Sequence, residues 1–134
     1  AAVLSDIMKS DFISIRKNYD RALVAEMPGG RTCYSYDGID EFWMGLRSSF
    51  PDAKFEVHHT IGLDENMLSP RSAIRWSLSG KHDGMGAFGK PTGADVYIMG
   101  ISHAEFGPRG IRREFTVLDE VAIWKQILLH KGEI

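Results

Sequence analysis

The chain has 134 residues, 43% of them hydrophobic and 25% charged, with 16 basic and 18 acidic side chains. That is the size and composition of one globular domain over residues 1–134, able to bury its own core. A net charge of −2 lacks the basic excess that nucleic-acid binding draws on, and no run of about 18 apolar residues is available to span a membrane.

The first ten residues include Asp6 and lack a basic start, so no secretion signal is expected there. The single cysteine, Cys33, has no partner for an intramolecular disulfide. It reads as a small hydrophobe on a strand, and a cytoplasmic location is expected.

Leu4, Ile7, Met8, Phe12, Ile15 and Tyr19 recur at helical spacing, and Ser5 suits the N-cap of that helix. Ala22–Met27 and Thr32–Tyr36 flank Pro28-Gly29-Gly30 and read as a small hairpin. Ile39, Phe42, Trp43, Leu46 and Phe50 return to helical spacing, with a start at Asp37 or Gly38 and a stop at Pro51.

From Lys54 the period changes to two. Phe55, Val57, His59 and Ile61 are expected on one face of a strand, with Glu56, His58 and Thr60 on the other. A second strand covers 72–82, with Ile74, Trp76 and Leu78 on one side and Arg75, Ser77, Ser79 and Lys81 on the other. The glycine-rich segment 83–93 is followed by a strand and not by a helix. It therefore reads as a flexible connection, not a phosphate cradle. Asp95–Phe106 is a long strand, Gly107–Gly110 a turn and Ile111–Leu118 the return strand. Ala122–Leu129 reads as a terminal helical turn or a packed tail. Helices first and strands afterwards predict an α+β fold with antiparallel strands and a cavity between the two layers.

The run from Arg75 to Gly84, Arg-Trp-Ser-Leu-Ser-Gly-Lys-His-Asp-Gly, resembles the Arg-x-Thr-x-x-Gly-Thr-His-x-Gly stretch of the SnoaL-like polyketide cyclases. Pro91-Thr92-Gly93 resembles their Pro-Thr-Gly turn, and Gly110-Ile111, Asp119 and Gln126 resemble their closing pattern. The resemblance is best over residues 71–128. It implies the cone-shaped fold of the nuclear-transport-factor-two-like superfamily: a curved antiparallel sheet wrapped around N-terminal helices and a mostly apolar pocket. It also implies a homodimer and aldol-type cyclisation without cofactor or metal. Three positions depart from the pattern. Thr116 stands where the aldol cyclases carry their catalytic aspartate, Phe115 replaces the strand tryptophan, and the lysine beside Gly110 is missing.

His103 matches a histidine of the family, and alternation puts it on one face with Glu105, as it puts Glu114 and Thr116 on one face of the next strand. If both faces point inward, His103, Glu105, Glu114 and Thr116 form a polar cluster in an apolar pocket. Glu114 or His103 would then be the base and the other would orient or polarise. Arg75, Trp43, Tyr97, Met99 and Thr116 are the expected ligand contacts. A metal is not expected, because His103 and Glu105 lack a third ligand and the adjacent His58 and His59 point to opposite sides. Two functions compete. One is a cofactor-free enzyme acting on a small hydrophobic carbonyl compound by acid–base chemistry. The other is a non-catalytic binder of a small apolar ligand, or an assembly domain.

Overall fold

The computed structural model describes residues 18–63 and 70–133. Most of the expected N-terminal helix lies outside them. Tyr19, assigned above to its apolar stripe, instead opens a strand. The elements are β1 (Tyr19–Met27), β2 (Arg31–Cys33), α1 (Tyr36–Ser49), β3 (Lys54–Leu63), β4 (Arg71–Lys81), β5 (Asp95–Gly107), β6 (Gly110–Leu118) and α2 (Glu120–Lys131). The six strands form one sheet in the order β2-β1-β6-β5-β4-β3. The expectation of a wholly antiparallel sheet is corrected at one place: β1 runs parallel to β6. A strand that follows the N-terminal segment returns to pair with the last strand of the meander, and that long connection permits the parallel pairing.

α1 lies on one face of the sheet. Its Ile39, Trp43 and Leu46 are buried with Trp76, Leu78 and Ile98 of that face in one core. The Trp43 and Trp76 rings stand 6.0 Å apart. Arg47 fixes the chain just past the helix C-terminus by donating to the carbonyls of Phe50 (2.7 Å) and Pro51 (3.0 Å).

The expected tail is a full helix, α2. Asp119 is its N-cap and accepts from the Ala122 N–H at 2.9 Å, and Gly132 ends it in the left-handed region at φ 77°. Gln126 faces the part of β5 that extends beyond β6. It accepts from Tyr97 N at 2.9 Å and donates to Tyr97 O at 3.0 Å, so one amide side chain pairs with both backbone groups. Asp119→Ala is expected to cost about 1 kcal/mol, read as a lowered urea midpoint. Asp119→Asn should keep most of that stability.

The glycine-rich segment is tied down, which corrects the reading of a flexible connection. His82 is buried, and its Nδ1 meets Thr92 Oγ1 at 2.9 Å. Its carbonyl accepts from the N–H groups of Thr92 and Gly93, both at 2.9 Å. Ala87 N donates to Gly45 O of α1 at 3.1 Å. Gly84 and Gly86 lie so close to the α1 backbone that a Cβ on either would overlap it.

Candidate acid–base site

Cross-strand partners share a face of a sheet, so register decides which side chains meet. At the β5–β6 turn Gly107 pairs with Gly110 and Phe106 with Ile111. Continued without a break, that register would set His103 opposite Glu114. A β-bulge intervenes: Glu105 pairs with Arg113, and Arg112 is the extra residue. Beyond it His103 lies opposite Phe115, Ala104 opposite Glu114 and Ser102 opposite Thr116. A slip of one residue moves a whole set of side chains to the other face. The expected cluster is therefore split. Glu114 and Thr116 lie on the face that α1 covers, and His103 and Glu105 lie on the outer face. Glu105 there sits between Arg71 and Arg113.

The ligand contacts expected from the sequence divide in the same way. Arg75, Tyr97 and Met99 are exposed on the outer face. Arg75 and Met99 line a shallow groove of about 270 Å³ there with Ile101, Val117 and Asp119. Met99, Ile101, Phe115 and Val117 form an exposed apolar row on that face. Trp43 and Thr116 are buried on the covered side, and the Trp43 indole N–H has no hydrogen-bond partner among the described residues. A second bulge, between Val57 and His59, also corrects the reading of β3. Phe55 and Val57 share the face of Leu78 and Trp76, whereas His59 and Ile61 pair with Arg75 and Ala73 on the outer side.

On the covered face the buried polar groups are joined end to end. The Trp76 indole donates to Ser102 Oγ at 3.1 Å. Ser102 Oγ and Thr116 Oγ1 are 2.9 Å apart. Thr116 donates to Glu114 Oε2 at 3.1 Å, and the Tyr19 hydroxyl donates to Glu114 Oε1. Tyr36 OH holds the Tyr19 carbonyl at 3.0 Å. Burial raises the Glu114 pKa above its usual value, and the bonds from Tyr19 and Thr116 pull the other way without cancelling the rise. Burial also pushes the Tyr19 phenol well above its usual value, with the Glu114 carboxylate adding to the effect.

Tyr19, Ser102 and Trp76 were not expected at the site. Alternation already placed Ser102 with Gly100 on one face of its strand, but only the bulged register sets it against Thr116. Nothing local in the sequence marks Tyr19 as the partner of Glu114, 95 residues away.

Leu118, the next residue of β6 on the same face, lines a groove of about 190 Å³ with Phe42, Leu46 and Phe88. Among the described residues no group of three or more His, Cys, Asp or Glu side chains could hold a metal ion. No helix there is long and apolar enough to cross a membrane.

The fold is that of the SnoaL-like polyketide cyclases. A SnoaL-like candidate polyketide cyclase from Jannaschia sp. CCS1 matches with a TM-score of 0.76 at 13% identity, over 94% of this chain and 89% of that one. IdmH, a candidate polyketide cyclase from Streptomyces antibioticus, matches at 0.74 and 18%, over 92% and 91%. AclR, a candidate hydroxylase from Streptomyces galilaeus, matches at 0.72 and 20%, over 99% and 84%. No family model and no curated protein sequence matches the chain. One fold thus carries both cyclase and hydroxylase names, so the reaction must be argued from the side chains.

Proposed function

We propose that this chain is a cofactor-free enzyme that moves a proton on a small hydrophobic carbonyl compound, as a cyclase or isomerase, with Glu114 as the acid–base group. The cone of sheet around an apolar pocket belongs to this reading. The observation that carries it is the Glu114 carboxyl, buried on the helix-covered face, with its pKa raised by burial and each oxygen bonded to a hydroxyl. An upward shift holds the proton on the carboxyl more firmly than on an ordinary glutamate, which is the direction that proton transfer to and from a ligand calls for.

The departure at Thr116 supports the same reading. The carboxyl of the aldol cyclases is replaced there by a hydroxyl, but a carboxyl returns two residues earlier on the same strand and face, about 7 Å away. Thr116 bonds to it directly. His103 has no part in this unit, because it lies on the other side of the sheet.

The test is turnover of a panel of hydrophobic ketones and polyketide-type esters. Glu114→Gln is expected to lower kcat/KM about 10²- to 10⁴-fold while the protein keeps its fold. Unchanged turnover would remove Glu114 from the reaction. Saturable thermal stabilisation of the wild-type protein by a panel member without conversion would favour the binding reading.

A further inference from the structure

We infer that the hollow between α1 and the start of α2 is a second binding site, which takes a small hydrocarbon amine. The apolar body of the ligand lies on Phe42, Phe88 and Leu118, and its ammonium group meets Glu41 and Glu120. The site is separate from the buried carboxyl. Leu118 stands four residues beyond Glu114 along β6, about 13 Å of extended chain, and the acid–base group has no part in the binding.

The fold bounds the hollow on four sides. α1 supplies one wall and the first turn of α2 the other. The loop of residues 86–89 shuts one end. It is held there by the bonds from Ala87 N to Gly45 O and from Gly89 N to Gly86 O, both 3.1 Å. The β1–β2 turn shuts the other end, where a Cβ on Gly29 would lie 3.7 Å from both carboxylate oxygens of Glu120. The floor is apolar and firm. Phe88 is buried and meets Trp124 edge-on, with ring centres 5.3 Å apart. Phe42 meets Trp43 in the same way at 4.9 Å. The space is about 190 Å³. An apolar cavity of about 150 Å³ holds benzene, so one six-membered ring with a short chain fits.

Charge gathers at the turn end. Arg31, Glu41 and Glu120 stand on the rim. Cys33, at the end of β2, feels two of them: burial leads the rise in its pKa, Arg31 opposes that rise and Glu41 adds to it. Arg31 and Glu41 therefore lie near the hairpin, as Glu120 does. The ion pairs among the described residues are Lys54–Glu56, Lys81–Asp95 and Lys131–Glu133, so none of the three rim charges is tied to another. Two carboxylates against one guanidinium leave the rim negative by one charge. A head group of single positive charge neutralises it, whereas a carboxylate head meets two repelling groups for one that attracts. An apolar tail towards Phe88 and an ammonium towards the turn match this polarity. The rim groups reach solvent, so each ion pair adds little alone. The apolar floor supplies most of the affinity, and the rim selects the charge.

The test titrates 15N-labelled wild-type protein near neutral pH with three probes of similar shape: phenethylamine, phenethyl alcohol and phenylacetate. They are a cation, a neutral molecule and an anion. The amine should shift the backbone signals of Gly45, Ala87, Phe88 and Glu120 saturably by about 10 mM. The alcohol should bind about five-fold more weakly, as the loss of one exposed ion pair implies, and phenylacetate more weakly again. The double substitution Glu41→Gln with Glu120→Gln keeps both side-chain shapes at positions that reach solvent, so the fold should hold. It should make the amine and the alcohol bind alike. The inference is overturned by phenylacetate binding as tightly as the amine, or by a preference for the amine that survives the double substitution. The absence of any saturable shift overturns it too, as do shifts gathered on Ser102 and Thr116 instead. None of these outcomes bears on the turnover test of Glu114→Gln.

Discussion

Gly100→Ala is expected to destabilise the protein by about 3 kcal/mol, at the upper end of what overpacking a core costs. Gly100 lies directly between Trp76 of β4 and Leu118 of β6 on the covered face. The Trp76 indole lies across it, and a Cβ there would overlap ring atoms Cζ2, Cε2 and Cη2. Trp76 is completely buried and stacked about by Trp43 and Phe55, so the ring has nowhere to go. Its N–H is also committed to Ser102. The check is a double-mutant cycle on urea midpoints. In a Trp76→Ala background the cost of Gly100→Ala should fall below about 1 kcal/mol, because the clash is gone. An equal cost in both backgrounds would show that the ring does not rest on that glycine. The same position matters for chemistry, since a displaced indole releases the first donor of the chain that ends on Glu114.

The α+β class, the four long strands and the helix at 36–49 were legible in the sequence because periodicity reports which face is buried. Ile74, Trp76 and Leu78 are buried as their spacing predicts. What periodicity cannot report is a bulge. Inserting Arg112 between paired residues leaves the apolar pattern of β5 and β6 intact, yet it reverses which side of β5 faces Glu114. The pairing of His103 with Glu114 failed for that reason. The bulge in β3 misplaced His59 and Ile61 in the same way.

The motifs that carried the family resemblance turn out to shape the fold. His82 and Thr92 tie the glycine-rich segment, Asp119 caps α2, and Gln126 pairs with β5 where β6 has ended. That explains how the fold class could be recognised while His103 and Glu114 were set on one face of the sheet. The residues that mark the fold are not those that surround the carboxyl.

The pH dependence of stability reports directly on whether Glu114 is poised as proposed. Burial is the leading influence on it and raises its folded pKa above the ordinary value of 4.5. A group raised in this way contributes stability that is fully present below pH 4.5 and is lost as pH rises through its folded value. Glu114→Gln stays neutral throughout. Its amide oxygen can accept from Thr116, and its NH₂ group can donate to Tyr19, whose hydroxyl is able to turn. The stability of wild type minus that of Glu114→Gln should therefore fall as pH rises from the ordinary value of 4.5 towards the raised folded value. His82 changes in the opposite sense, because its pKa is lowered chiefly by burial and its contribution is lost as pH falls below 6.5. It is the same in both proteins, so it cancels in the difference. The titratable groups that face Glu114 among the described residues are Tyr19 of β1 and Cys33 of β2, and both are shifted upward, away from this window. Urea midpoints of the two proteins at matched pH give the curve. A difference that rises with pH would mean that the two hydroxyl donors outweigh burial. Glu114 would then be a permanent anion with no proton to offer near neutrality, and the acid–base role would have to pass to another group.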